Sequence, residues 1–324
     1  MPLSRIGVRF LMSDNPFIDP DEALVPELYP LDPNDSRASL RENLIEALRA
    51  LPHYFTSPIN IEGLIATDLF SMNTLLGGAI EEQTVRILNS LRTTWDPEDR
   101  WVDREFMRFP ESFPDVRLVK SIGDPEPVIG VELKGWYLLS KEKEPSFRFL
   151  AAADATTEFD LIVCVPWALS NVLSGNPVVY DPYIEQAKYA ADMRTHYWHH
   201  RSGNAGNRVD AIRHPDTLPY PRAGSAYVDV PAQDGGGNFG RIARVPGLMK
   251  EWIEETSYTK LAGIEARYWV DFLLAFKEGS TRKEIERAIE LIDQKVQSQR
   301  SKMPPDTRRQ VLDCVYQIVE LIGE

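Results

Sequence analysis

Apolar and polar residues alternate along two neighbouring stretches in the middle of the chain, 115–120 and 128–136. Successive side chains of a β-strand point to opposite faces, so this period of two predicts two strands. In the second strand, Glu132 and Lys134 project from one face. The other face carries the apolar residues Ile129, Val131 and Leu133. We therefore expect one face to lie in a core and the charged face to lie outside it.

The segment that joins these stretches, 121–127, holds a glycine, an aspartate and two prolines, which are typical of turns. The two strands are therefore predicted to form a hairpin. A turn centred on this segment places Asp115 opposite Glu132 and Val116 opposite Val131. Facing carboxylates repel each other, and a divalent cation between them would remove that repulsion. Asp115 and Glu132 are thus a candidate metal site, and the alternative is a surface hairpin with a solvated charged face.

The spacing of an acid two residues before a lysine is weak evidence by itself. With 49 acids and 11 lysines among 324 residues it should occur roughly 1.7 times by chance, and the chain contains it twice. The second case, Asp293 and Lys295, lies in a helical pattern, where residues two apart diverge. Only Glu132 and Lys134 lie in a predicted strand with a second acid opposite, so the strand context carries the prediction.

An amphipathic helix is predicted upstream, over residues 73–91. Glu81 flanks its apolar stripe and would reach a neighbouring sheet, whereas Glu82 points away. A supporting role for Glu81 at the site and an ordinary first-turn acid favoured by the helix dipole both remain open. The stripe consists of Ile80, Thr84, Ile87, Leu88 and Leu91.

The run 160–169 is continuously apolar after its first residue, which indicates a central strand covered on both faces. Pro166 indicates that the regular ladder ends there. Asp181 and Pro182 then supply an N-cap and a first-turn proline for a helix to about His200. The order helix, hairpin, buried strand, helix predicts an α/β fold with a mixed sheet.

These motifs resemble those of the PD-(D/E)xK nuclease superfamily, and most of all type II restriction endonucleases. Pro114-Asp115 is followed after 16 residues by Glu132-Leu-Lys134 and then by the apolar strand, and the resemblance covers roughly residues 73–200. It implies a restriction-endonuclease-like core with Asp115 and Glu132 as Mg²⁺ ligands and Lys134 as a catalytic residue beside the attacking water. In this superfamily an acid from a preceding helix often assists, which fits Glu81.

The resemblance also implies the activity, a Mg²⁺-dependent endonuclease that cuts double-stranded DNA and acts as a homodimer. One alternative is a repair or recombination nuclease that recognises DNA structure rather than sequence. Another is a non-catalytic DNA-binding module on the same fold. Intact Asp115, Glu132 and Lys134 favour the catalytic interpretations.

Composition narrows the class of protein. The two cysteines give neither a disulfide framework nor a zinc site. No apolar run approaches 18 residues and residues 1–17 lack a signal-peptide core, so we expect a cytoplasmic protein without a membrane partner. The net charge of −13 disfavours nonspecific attraction to DNA over the whole surface.

Residues 186–222 depart from this acidic average, with six Lys or Arg against three acids. This local excess predicts a DNA-facing surface, although polar loops of such composition are common. His196 and His200 have a zinc-binding spacing, but no glutamate lies between them in the zincin pattern, so structural or DNA-contacting histidines are favoured. The candidate DNA contacts are Lys188, Arg194, Arg201, Asn204, Asn207, Arg208 and Arg213.

Three regions are predicted along the chain: an irregular, proline-rich segment 1–37, a nuclease domain 38–250, and a helical C-terminal region 251–324 that packs on the core or forms a dimer interface. A capping box at Ser39 and Glu42 predicts the start of a helix that runs to about Leu51. The C-terminal helices are predicted at 258–277, at 281–300 with a capping box at Thr281 and Glu284, and at 306–322.

Overall fold

The structure is a computed structural model. It describes residues 25–62, 71–109, 112–121, 124, 126–200, 209–210, 220, 227–231, 233–234, 238–274, 281, 283–284, 286–287, 290 and 294.

A mixed sheet of six strands, flanked by helices, forms the centre of the fold. Its order is β1-β2-β3-β4-β5, and β6 also pairs with β4. The β3–β4 pair is parallel and the other pairs are antiparallel. The predicted α/β class with a mixed sheet is therefore confirmed. The strands are β1 Glu105–Arg108, β2 Val116–Val119, β3 Gly130–Tyr137, β4 Leu161–Leu169, β5 Pro177–Val179 and β6 Tyr183–Gln186.

The remaining elements are helices and short strand pairs. The helices are α1 Ser36–Arg49, α2 Leu51–Tyr54, α3 Met72–Ser90, α4 Arg92–Trp95, α5 Ala187–His200, α6 Met249–Thr256 and α7 Ala266–Leu273, with 3₁₀ turns at Ala153–Ala155 and Ile242–Arg244. The short strands are β7 Val209–Asp210, which pairs with β8 Val230–Pro231, and β9 Lys260–Leu261, which pairs with β10 Ile264–Glu265.

The hairpin of β2 and β3 has the register that the alternation predicts. Val116 pairs with Val131 and Arg117 with Gly130. Val116 and Val131 are both buried. Because the apolar members of each strand fill the core, a shift by one residue would expose them, which fixes the register.

β4 is buried along its whole length, as its apolar run predicts. The prediction that its ladder ends at Pro166 is wrong, because β4 continues to Leu169. Pro166 lies in the gap between the β6 pairing at 161–164 and the β5 pairing at 167–169, where β4 needs no N–H on that side. On the other side it aligns with Trp136 of β3.

The helix predicted from Asp181 begins instead at Ala187. Residues 183–186 form β6, which covers the edge of β4 at residues 161–164. Pairing with a buried strand outweighs the local capping signal. The Ala187 N–H donates to the carbonyl of Asp160 at 2.8 Å, so the helix starts directly against β4.

Helix α3 has the predicted buried stripe and lies against β3. All five stripe residues are buried, and the most exposed of them, Leu91, is 7% exposed. A Cβ at Gly135 of β3 would lie 3.5 Å from the carbonyl oxygen of Gly77, so helix and strand approach closely there. This close approach brings Glu81, one turn further along α3, to the surface of the sheet.

Both ends of the chain differ from the sequence expectations. Helix α1 begins at Ser36 rather than Ser39, because the carboxylate of Asp35 accepts the Arg37 N–H at 2.8 Å and provides the N-cap. A helix was predicted over 258–277, but Ala262 and Gly263 have φ values of 48° and 86° and form the two-residue turn of the β9–β10 hairpin. Helix α7 then begins at Ala266.

The described part of the C-terminal region shares its buried side chains with the rest of the fold. Trp252 of α6 lies 5.5 Å from the ring of Trp136, and Trp269 of α7 belongs to the same apolar cluster as the sheet. Thr281 N–H and Glu284 make the contact expected of a capping box, at 2.8 Å. Most of the predicted helix 281–300 and all of 306–322 lie outside the described residues, as does most of the segment 1–37. Across the helices that are described, none combines the length and the apolar character that a membrane crossing needs.

Candidate metal and catalytic site

The two predicted metal ligands meet where β2 and β3 separate. Beyond the Val116–Val131 pair, side chains replace the main-chain ladder: the Asp115 N–H donates to Glu132 Oε2 at 3.3 Å. The Leu133 N–H in turn donates to the carboxylate of Asp115. Asp115 and Glu132 are both partly exposed. The two carboxylates therefore lie close together at the opening between the separating strands, which we call the cleft.

The negative charge of the two carboxylates at this cleft is not fully compensated by the protein. Burial, and then the nearby charge of Glu81, raises the pKa of Asp115 to about 6. Burial, and then the charge of Asp115, raises the pKa of Glu132 well above its usual range. Each shift means that the ionised form lacks full compensation by the protein. A bound cation would supply that compensation.

Glu81 joins this site and contacts two positively charged side chains, Lys134 and Arg108. Its Oε1 accepts the Gly135 N–H at 3.2 Å and lies 3.8 Å from Nζ of Lys134. Its Oε2 forms an ion pair with Arg108 at 2.7 Å. The Glu81 side chain is only 10% exposed, while Lys134 is 39% exposed. The structure thus brings together all four residues that the sequence predicted for the site.

Arg108 was missed by the sequence analysis. It lies on β1, a four-residue strand opposite Val116 of β2, and its positive charge lowers the pKa of Asp115. The contact with Glu81 spans 27 residues of sequence. A strand of four residues is too short for its alternation of polar and apolar residues to be recognised. No local sequence pattern links Arg108 to the acids.

A buried carboxylate supports the hairpin from behind. Asp160 accepts the Gly130 N–H at 2.7 Å, the Thr157 N–H at 2.6 Å and the hydroxyl of Tyr220. A Cβ at Gly130 would lie 2.3 Å from Cγ of Pro114, so only glycine fits there. Asp160 therefore fixes the strand against the proline that precedes Asp115.

Tyr227 is a second residue that the sequence did not indicate. Burial, and then the charges of Glu132 and Asp115, raises the pKa of its phenol. Its ring packs 5.5 Å from that of Phe113. Its carbonyl accepts the Ala152 N–H at 2.7 Å, which holds it beside the cleft.

The side chains at the cleft suit a hard divalent cation. Mg²⁺ binds through one or two carboxylates and retains several waters, with phosphate oxygens completing its shell. Asp115 and Glu132 provide two such carboxylates with raised pKa values. Within the described ranges, no group of three or more His, Cys, Asp or Glu side chains is placed to hold a metal ion. The protein would therefore contribute two carboxylates rather than a complete cage.

Two of the predicted DNA contacts, Lys188 and Arg194, lie among the described residues, and the prediction for Arg194 is wrong. Arg194 is 2% exposed; it donates to the carbonyls of Phe149 and Ala151 and pairs with Asp229. Burial lowers its pKa to about 10. Its guanidinium makes four hydrogen bonds inside the protein, is buried there and is not available to DNA. The basic composition of its neighbours suggested a surface position, but α5 turns this residue inward.

Lys188 is partly exposed, with Nζ 5.1 Å from the ring centre of Tyr29, and stays a candidate DNA contact. His196 and His200 stack at 4.1 Å between ring centres, and no third metal ligand joins them among the described residues. The other candidate contacts, Arg201, Asn204, Asn207, Arg208 and Arg213, lie outside the described residues.

Comparisons with protein-family models, with curated proteins and with solved structures found no match.

Proposed function

We propose that this protein is a Mg²⁺-dependent endonuclease that hydrolyses phosphodiester bonds of double-stranded DNA. One observation carries the proposal: Asp115, Glu132 and Lys134 lie together where β2 and β3 separate, in the register that their spacing predicts. Glu81 contacts the lysine of this group from a neighbouring helix. Two carboxylates and a cation beside a cleft are what metal-assisted phosphodiester cleavage requires.

The order of elements supports a restriction-endonuclease-like core. Helix α3, the β2–β3 hairpin, the buried parallel strand β4 and helix α5 follow one another along the chain. This is the order that the motif resemblance implies, and β1 and β6 extend the sheet around it. The proposed activity rests on the site, because one fold can host unrelated functions.

Asp115 and Glu132 are the residues that would hold the metal. Mg²⁺ would lower the pKa of a bound water and offset negative charge that develops on the phosphate. The carboxylate of Asp115 is oriented by the Leu133 N–H, and that of Glu132 by the Asp115 N–H. These main-chain contacts fix both acids before a ligand arrives, which limits the reorganisation that the reaction would need.

Lys134 supplies positive charge at the same face. Its side chain is 39% exposed and its ammonium lies 3.8 Å from Glu81, so the lysine is held near the acids and partly open to solvent. In this position it stabilises charge at the attacking water or at the phosphate oxygens. Glu81 keeps the lysine side chain directed toward the cleft, since its other contacts fix it to β3 and β1.

The substrate and assembly follow from the same proposal. A homodimer with two-fold symmetry would place two such clefts on a palindromic site and make two symmetric cuts. The excess of basic residues in 186–222 would face the DNA and offset the net charge of −13. Lys188 is the described member of this candidate surface.

Digestion of unmethylated plasmid and phage DNA tests the proposal. Purified protein is incubated with Mg²⁺ or with EDTA, beside Lys134→Ala. Lys120→Ala is the matched control, since Lys120 lies on the same hairpin in an exposed ion pair with Asp103. We expect discrete fragments that require Mg²⁺, persist in the control and disappear in Lys134→Ala.

Other outcomes would change the assignment. A smear of products that also requires Mg²⁺ and Lys134 would favour a structure-directed or nonspecific nuclease. Intact DNA across linear, branched and single-stranded substrates would contradict the catalytic proposal and favour a binding role.

A further inference from the structure

Arg108 is a second cation beside the acid pair, in addition to Lys134. Its charge acts on Asp115, and its Nη2 lies 2.7 Å from Oε2 of Glu81. Glu81 therefore holds two cations, Arg108 through one oxygen and Lys134 through the other. Both cations therefore lie near the acids where the strands separate.

The guanidinium of Arg108 has N–H donors that bind no acceptor among the described residues. It donates to Glu81 and, at 3.3 Å, to the carbonyl of Gly78. Since an arginine has five N–H donors, three have no acceptor among the described residues. The side chain is 22% exposed, so an anion can reach those donors from solvent. A planar guanidinium with free donors matches the geometry of phosphate oxygens.

The formal charges of the group point to the same ligand. Three carboxylates and two cations sum to −1, and a divalent cation would change this to +1. A phosphodiester carries one negative charge, so the loaded site would match it. Without Arg108 the loaded site would be neutral and would not attract a phosphate. The charged members are Asp115, Glu132, Glu81, Lys134 and Arg108.

We propose that Arg108 binds a non-bridging oxygen of the phosphate that is cleaved, and that Glu81 positions both Arg108 and Lys134 for this contact. The inference rests on the proposed nuclease function and assigns a substrate-binding residue to it. It differs from a purely structural role, in which Arg108 would only neutralise Glu81.

DNA binding under conditions that prevent cleavage is the first test. A sequence cut by the wild-type protein is placed in a fluorescein-labelled duplex, and binding is followed by anisotropy in Mg²⁺ across a series of NaCl concentrations. Lys134→Ala is compared with Lys134→Ala/Arg108→Gln. Loss of one phosphate contact should lower the slope of log affinity against log salt by about 1. Arg49→Gln in the same background is the control, because Arg49 lies in an exposed helix ion pair.

Cleavage by Arg108 variants is the second test. Arg108→Gln should lower kcat/KM by about 10²-fold, as for other lost transition-state contacts. Arg108→Lys keeps the positive charge but lacks the planar set of guanidinium donors. It should therefore show the wild-type salt dependence of DNA binding but only part of the wild-type cleavage rate. If Arg108→Gln fails to fold, Arg108→Lys decides: a folded lysine variant with undiminished cleavage would overturn the proposal.

The outcomes separate this inference from the function on which it rests. Unchanged salt slope and affinity in the double variant, with wild-type cleavage intact, would show that Arg108 is only a structural partner of Glu81. Failure of the wild-type protein to cut any DNA would overturn the nuclease function and this contact together. A reduced slope with reduced kcat/KM supports both.

Discussion

The Arg194–Asp229 and Arg108–Glu81 pairs have the same chemistry in different surroundings. The first pair is 2% and 5% exposed, the second 22% and 10%. Arg194 uses four of its five N–H donors on protein groups, whereas Arg108 uses two among the described residues. A buried arginine that spends most of its donors on protein groups joins parts of a fold, while a partly exposed arginine with unused donors beside acids of raised pKa can bind a ligand. The sequence suggested a DNA contact for Arg194, because Arg194 lies in the basic segment, and gave no indication of Arg108.

The largest expected effect is on stability, at the buried pair. Arg194→Met leaves Asp229 charged and buried, which should lower the free energy of unfolding by about 3–5 kcal/mol. Arg148→Met is the matched control, because Arg148 is 47% exposed in its pair with Asp234, and should lose less than about 1 kcal/mol. Urea denaturation measures both. Wild-type stability with lost DNA binding in Arg194→Met would restore Arg194 as a DNA contact.

At the Arg108–Glu81 pair, substitution should change the cleavage activity more than the stability. Glu81→Gln releases Arg108 and Lys134, so cleavage should fall about 10- to 100-fold, as for the loss of other residues that orient a site. Because the charge of Glu81 raises the pKa of Asp115, the acid limb of the pH–rate profile should move to lower pH. Glu82→Gln is the control, because Glu82 is the next residue of the same helix and pairs with the exposed Arg86 rather than with Arg108 or Lys134. Equal loss in both variants would refute a special role for Glu81.

The unbalanced acids also predict how stability varies with pH. The pKa of Asp115 is about 6 in the folded protein against 3.8 ordinarily, so the folded state binds the proton more tightly. Its destabilising effect is absent below about pH 4 and fully present above about pH 6, so stability falls as pH rises through this window. In EDTA, Asp115→Asn should reduce this fall. The part due to Asp160, whose pKa burial also raises to about 6, should remain. Identical pH curves for variant and wild type would contradict the raised pKa of Asp115.

The smallest effect, on both stability and DNA binding, is expected at Lys188. Lys188→Gln removes a cation that packs on Tyr29 and should lower stability by about 0.5–1 kcal/mol. If Lys188 contacts a phosphate, the salt slope of DNA binding should fall by about 1. Lys141→Gln, at another exposed position, serves as the control. An unchanged slope would remove Lys188 from the candidate surface.

Local periodicity was sufficient to predict the hairpin and the edge position of Glu81. Alternation fixed the register of Val116 and Val131, and the helical stripe placed Glu81 beside the sheet. Both signals depend on neighbours within a few residues. They are therefore readable from one sequence.

Features that depend on distant contacts were not predictable in this way. Residues 183–186 have a helix-start signal before them, but pairing with β4 makes them a strand. Arg194 is buried by the Phe149 and Asp229 regions, which lie 45 and 35 residues away. Composition describes the neighbours of a residue in sequence rather than in space, so it could neither bury Arg194 nor bring Arg108 to the site.

Conversion of supercoiled plasmid in Mg²⁺ by Glu132→Gln tests the central claim most directly. Glutamine keeps the size of the side chain and an oxygen for the Asp115 N–H, but removes the charge that would hold the metal. Glu126→Gln, an exposed acid of the same hairpin, is the control. We predict that wild type and control cut the plasmid, while Glu132→Gln loses at least about 10²-fold in rate without losing thermal stability in EDTA. Cleavage by Glu132→Gln at the wild-type rate, or cleavage by the wild type in EDTA, would contradict the assignment.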